Sequence, residues 1–165
     1  MYQFKDFSPE SKIWIYQSNR KLNADEVASI NRILGDFALT WTAHNHQLKA
    51  EAVVYKNHFL LFCVDENIEK ASGCSIDKSF HVIRSLEKEF NITLFNRLFI
   101  AFEHNNEIEV IHMNDFIERI NNSELPTDTI IYNNSITTLN QFNTEWQQPA
   151  SESWISIHLN SKVTS

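Results

Sequence analysis

Glycine is nearly missing from this chain: Gly35 and Gly73 are the only two among 165 residues. That scarcity argues against a phosphate-cradling loop, because a P-loop needs G-x-x-x-x-G-K-[ST], whose glycines let backbone amides close on the phosphates. Gly35 is followed by Asp36 and Gly73 by Cys74, so neither fits. Cysteine is as scarce. Cys63 and Cys74 fall short of a disulfide framework or a four-thiolate zinc site, and read as free thiols in a reducing, cytoplasmic setting. No apolar run approaches the roughly 20 residues of a membrane span, and the first residues lack the apolar core of a signal peptide. Clustered cations are missing too. The formal net charge of -7 is spread without an acidic or basic block, which argues against a nucleic-acid partner and against a membrane surface.

What is present is a core. Hydrophobic residues make up 42% and aromatic residues 12% of the chain, enough for one domain over residues 1–165 that folds unaided. Lys12 to Gln17 reads as a strand apolar on both faces, hence central in a sheet. Asn23-Ala24-Asp25-Glu26 resembles a capping box, and Val27, Ile30, Ile33, Leu34, Phe37 and Trp41 follow at helical spacing. Lys49 to Tyr55 and Phe59 to Val64 form a hairpin around Lys56-Asn57-His58. A second helix carries the stripe Ile76, Phe80, Ile83, Leu86 and Phe90. Leu98 to Phe102 then turns at His104-Asn105-Asn106 into Ile108 to His112.

The order β-α-β-β-α-β plus one strand predicts an α+β fold: a ferredoxin-like split β-α-β antiparallel sheet with an extra edge strand. Residues 1–112 form this core, and residues 113–159 form a helical extension packed on it. In that extension Asp115 to Asn121 and Thr137 to Trp146 read as helices and Thr129 to Tyr132 as a strand, while residues 160–165 fray. Trp14, Tyr16, Trp41, Phe62, Phe80, Phe90, Phe99 and Phe102 are placed in the core, with Trp146 and Trp154 fastening the C-terminal segment.

The chemistry-bearing segment is Ala71-Ser72-Gly73-Cys74-Ser75-Ile76-Asp77-Lys78-Ser79, where one of the two glycines meets one of the two cysteines at a helix start. A glycine in so glycine-poor a chain marks a sharp turn or a close approach, and a helix N-terminus favours an anion or a thiolate. In the predicted topology the same end of the sheet collects His44, His46, Asp65, Glu66 and His104, with Arg20 and Arg97 at the opposite end. The ligand-binding candidates are therefore Ser72, Gly73, Cys74, Ser75, Asp77 and Asp65, serving a small anionic ligand. Cys74 as nucleophile with His44 as base is the enzymatic alternative, opposed by the Asp77 carboxylate, which disfavours a thiolate. The plain structural alternative is a helix capped by Ser72 or Ser75, with Asp77 complementing the dipole. His44 and His46 with Cys74 or Asp65 make an incomplete metal set, so neither a metal nor a cofactor is indicated. An uncovered sheet face would serve a homodimer or a protein partner.

The stretches Lys12-Ile13-Trp14-Ile15-Tyr16-Gln17-Ser18-Asn19-Arg20, Trp41-Thr42-Ala43-His44 and Ala71 to Ser79, with Trp154, resemble a family of short uncharacterised Bacteroidetes-type proteins. The likeness covers nearly the whole chain, and the cysteine segment is its most specific part. Members often carry the label "ABC transporter ATPase". The resemblance implies no catalytic residue, and without a P-loop or a metal-binding aspartate strand the label has no physical support here; ATP hydrolysis is disfavoured.

Overall fold

Asn23 opens the first helix by accepting from the Glu26 backbone N–H while the Glu26 side chain accepts from Asn23, a complete capping box. In the computed structural model, which describes residues 4–160, that helix is α1 (Ala24–Thr40), following strand β1 (Lys12–Gln17). The chain continues through a small hairpin, β2 (Thr42–Ala43) and β3 (His46–Gln47), then β4 (Ala50–Tyr55), β5 (Phe59–Val64) and α2 (Gly73–Phe90). Next come β6 (Phe99–His104), β7 (Glu107–His112), α3 (Met113–Asn121), β8 (Ile130–Tyr132), α4 (Leu139–Thr144) and β9 (Gln147–Pro149). The protein is α+β, with antiparallel sheets. Residues 161–165 of the tail expected to fray lie outside the described residues.

The strands divide between two main sheets. One has the order β1-β5-β4 and the other β7-β6-β8-β9. The first is the order three strands of a ferredoxin-like sheet would take, but the expected fourth, β6, pairs with β7 and β8 and not with β1. The reason lies in β1 and β5. All six residues of β5 are buried, so both faces of this sheet need cover, and helices on one face alone would leave the other wet. Tyr16, Val54, Leu60, Phe62 and Val64 meet Ile30 and Leu34 of α1 and Ile83 and Leu86 of α2. On the opposite face Ile13, Leu61 and Cys63 meet Ala101 of β6, Tyr132 of β8, Leu139 and Phe142 of α4, and Trp146. The outer face of the second sheet, through Ile100, Phe102 and Ile131, is closed by Phe116 and Ile120 of α3 with Ala150 and Ile155. Apolarity on both faces of β1 thus reports two covered faces and not a central place in the sheet, where β1 is an edge strand.

Asparagine does the backbone work that glycine usually does. Five of the nine positive-φ residues among those described are Asn45, Asn57, Asn91, Asn105 and Asn106. Left-handed pairs at His44-Asn45, Lys56-Asn57 and Asn105-Asn106 turn three hairpins, the first and third as two-residue loops and the second within the three residues Lys56-Asn57-His58. Asn91 ends α2 in the same conformation. Neither glycine has positive φ, and a Cβ built on either meets nothing within 4 Å. The expectation that Gly73 marks a sharp turn or a close approach is therefore corrected: it is an ordinary first residue of α2.

Candidate functional site

At the start of α2, Ser72 and Ser75 cap each other. The Ser75 N–H donates to Ser72 Oγ (3.1 Å) and the Ser72 N–H to Ser75 Oγ (2.6 Å), while Ser75 Oγ donates to the Ser72 carbonyl (2.7 Å). The indole of buried Trp41 donates to the Ser75 carbonyl at 2.7 Å, fastening the β2–β3 hairpin to this helix start. So the predicted juxtaposition of the hairpin with the segment is present. Cys74, His44 and His46 are exposed, and no hydrogen bond or ion pair joins them among the described residues. Asp77 is exposed and lies beyond the first turn of α2, which holds no acidic residue. Its expected role as dipole partner is thereby corrected.

Asp65 is buried and fully engaged in structure. Its carboxylate accepts from Lys49 Nζ (3.0 Å) and from the backbone N–H of Asn67 (3.1 Å) and of Ser8 (3.4 Å). Burial alone would raise its pKa, but Lys49 and those two amides prevail and hold it below the usual aspartate value. His104 sits elsewhere than expected, because β6 crosses to the second sheet and ends beside the β4–β5 turn. There Lys56 pairs with Glu103 (3.5 Å) and Lys21 with Glu107 (3.0 Å). Among the described residues no group of three or more His, Cys, Asp and Glu side chains could hold a metal ion.

Two cavities stand out among the described residues, and chemistry separates them better than size. The larger, about 720 Å³, surrounds that turn and is lined by Lys21, Lys56, His58, Glu103, His104 and Glu107 among others. Its charges are matched. Besides the two lysine pairs, His104 Nδ1 meets Glu109 at 2.5 Å and Arg119 meets the same carboxylate at 3.0 Å. His104 first, against burial and then with Arg119, holds Glu109 below its ordinary value. Burial keeps the pKa of His58 low, and a ring nitrogen facing the Lys56 carbonyl at 3.0 Å must carry its proton.

The smaller cavity, about 420 Å³, opens where β1 ends, between the segment after α2 and the chain after β8. Ile15, Phe95, Phe99, Met113 and Trp154 supply apolar wall, and Gln17, Asn96, Arg97, Asn133 and Asn134 supply polar groups; no carboxylate lines it. Arg97 has no ion pair among the described residues.

A one-way relay fixes the orientation of the cavity's amides. The Trp146 indole, which can only donate, gives its N–H to Asn134 Oδ1 (2.9 Å); Asn134 Nδ2 donates to Gln17 Oε1 (2.9 Å); Gln17 Nε2 donates to the Phe99 carbonyl (3.3 Å). Asn96 Oδ1 accepts from the Leu98 N–H (2.9 Å), and Asn133 Oδ1 from Ser135 N–H (3.2 Å) and Oγ (2.5 Å). Every amide oxygen of the lining already holds a proton donor. What the side-chain amides have left is N–H: a second proton on Gln17 Nε2 and on Asn134 Nδ2 and the Nδ2 groups of Asn96 and Asn133, beside the guanidinium of Arg97. Burial drives the Tyr16 phenol up to about 12, against a Ser79 hydrogen bond and the charge of Arg97, so this wall is neutral at physiological pH.

Sequence reasoning placed Arg97 at this end and passed over it. The signal it could have used is the segment Phe95-Asn96-Arg97-Leu98, whose apolar residues keep no helical or strand period, and which stays largely exposed: Phe95 is 38% and Leu98 54% accessible. Trp154, expected as a fastener, is 48% exposed at the rim, while its neighbour Ile155 is the buried anchor. Phe80, assigned to the core, lies at the surface with its ring 6.0 Å from Phe95.

The fold and this cavity define an α+β protein with a donor-lined pocket. No protein-family model, curated protein or solved structure matches the chain. No helix among the described residues is long and apolar enough to cross a membrane.

Proposed function

We infer that the protein is a binding module for a small anionic ligand, held in the cavity at Arg97 by its acceptor groups and by an apolar part among Phe95, Phe99 and Trp154. The observation that supports this reading is the one-sided hydrogen-bond chemistry of the lining. With the side-chain amide oxygens engaged and no carboxylate present, the spare side-chain groups of Gln17, Asn134 and Arg97 are all donors. An anion answers such a set, and a planar guanidinium suits a carboxylate in particular. A volume of about 420 Å³ falls within the usual range of ligand cavities, about 300–1,000 Å³.

The site thus moves from Ser72–Asp77 to the other end of β1. Two of the backbone and side-chain groups expected to receive the anion there, at Ser72 and Ser75, are spent on each other. The cysteine-enzyme reading loses ground on the missing link between Cys74 and His44. A cytoplasmic setting suits two free thiols.

Calorimetric titration with 3-phenylpropionate and its uncharged amide tests the reading. The acid binds and the amide does not, and Arg97→Met weakens the acid by at least tenfold, since a charge-assisted hydrogen bond is worth about 1.5–3 kcal/mol. Equal binding of acid and amide, or indifference to Arg97→Met, overturns it.

A further inference from the structure

The cavity wall includes a length of unpaired strand. On the outer edge of β1, the Ile13 N–H donates to the Thr137 carbonyl at 3.0 Å, and the Leu139 N–H donates to the Ser11 carbonyl at 2.9 Å. This antiparallel contact ends at Lys12 and Thr138. On the inner edge, Ser18 N–H donates to the His58 carbonyl at 2.7 Å, extending the register in which Lys12 faces Val64 and Tyr16 faces Leu60. Alternation in an antiparallel ladder then sends the N–H and C=O groups of Trp14 and Tyr16 inward to β5, and those of Ile15 and Gln17 outward. No other strand pairs with this edge, and among the described residues neither outward amide donates to a protein acceptor. Both Ile15 and Gln17 line the cavity.

An open stretch of strand edge beside a pocket of N–H donors and a guanidinium is a receptor for an extended chain that ends in an anion. We propose that β1 captures the C-terminal end of a peptide by strand addition at Ile15 and Gln17. Its terminal carboxylate is taken by Arg97, and its last, apolar side chain lies among Phe95, Phe99 and Trp154. Thr137 occupies the edge at Ile13, so only the last two or three residues of the peptide can pair. Exposed apolar side chains adjoin the cavity, Trp154 in its lining and Phe80 with its ring 6.0 Å from that of Phe95, which fits a longer chain lying across the rim better than a ligand wholly enclosed. This proposal rests on the anion-binding reading and adds the nature of the ligand.

Amide hydrogen exchange of the full chain, with and without peptide, tests it. The probes are N-acetyl hexapeptide libraries fixed at C-terminal Phe, Leu or Val, in free-acid and amidated forms, beside 3-phenylpropionate. In the free protein Ile15 and Gln17 exchange at least tenfold faster than Trp14 and Tyr16. A free-acid library slows both at least tenfold, whereas the amidated library and 3-phenylpropionate leave them unchanged, and Arg97→Met abolishes the slowing. Protection of Ile15 and Gln17 already in the free protein overturns the proposal. Binding of 3-phenylpropionate without any peptide effect on those amides also overturns it and leaves the anion site standing. Failure of both acid and peptides removes both readings.

Discussion

Replacing Gly35 and Gly73 by alanine should make the protein more stable, against the usual expectation for the only two glycines in a chain. Gly35 lies inside α1, and an interior helical glycine costs about 1 kcal/mol relative to alanine through lost backbone entropy. Gly73 is the first residue of α2, where fewer constraints apply and a gain of about 0.5 kcal/mol is reasonable. Neither has positive φ, and a Cβ at either meets nothing within 4 Å, so no steric or torsional penalty offsets the gain. With independent sites the double variant gains about 1.5 kcal/mol. For a chain of this length that raises Tm by about 3–6 °C, at about 2–4 °C per kcal/mol. Differential scanning calorimetry of the wild type, both singles and the double measures it. A fall in Tm for Gly73→Ala would show that the backbone there needs glycine, and would return the start of α2 to the list of close-approach sites.

Trp146→Phe removes the one donor to Asn134 Oδ1 among the described residues and opens a gap among Phe59, Tyr132 and Phe142; chemical unfolding should show a loss of at least about 2 kcal/mol. Glu26, held down to about 2 from 4.5 chiefly by Arg20 and then by the Asn23 N–H, contributes stability that is present above pH 4.5 and lost as pH falls towards 2. Glu26→Gln should therefore flatten the decline of Tm with pH across that window, and an unchanged slope would count against the pair. One thiol per chain, Cys74, should react with an aromatic disulfide reagent in the native state. Cys63, fully buried and with its thiol pushed up to about 12 by burial and by the charges of Glu51 and Asp65, should react only after denaturation; two fast thiols would contradict the packing.

Local signals in the sequence were strong where one residue type has one job. The capping box at Asn23 and Glu26, the stripe of α1 and the turns at Lys56-Asn57 and Asn105-Asn106 all rest on contacts within a few residues, and they stand in the structure. The partner of β6 was not legible. Its pairing depends on which face of β1 and β5 must be covered and on Thr137 taking the start of the β1 edge at Ile13, a contact between residues more than a hundred apart in the chain. The short strand β9 was missed because Gln147-Gln148-Pro149 has no alternation to read. At the start of α2, scarcity of glycine and cysteine draws notice to a segment in which Ser72 and Ser75 cap the helix. The donor-lined cavity escaped notice for the opposite reason: glutamine and asparagines are unremarkable in sequence, and their orientation exists only once Trp146 and the Phe99 carbonyl fix the two ends of the relay.

The most direct test of the anion cavity watches the side-chain NH2 resonances of Gln17 and Asn134 during titration with 3-phenylpropionate. Donation to a carboxylate shifts both pairs downfield together, with saturation that disappears in Arg97→Met. Movement confined to the backbone amides of Gly73 and Cys74, with the two NH2 groups still, would place anion binding at the start of α2 and contradict the account.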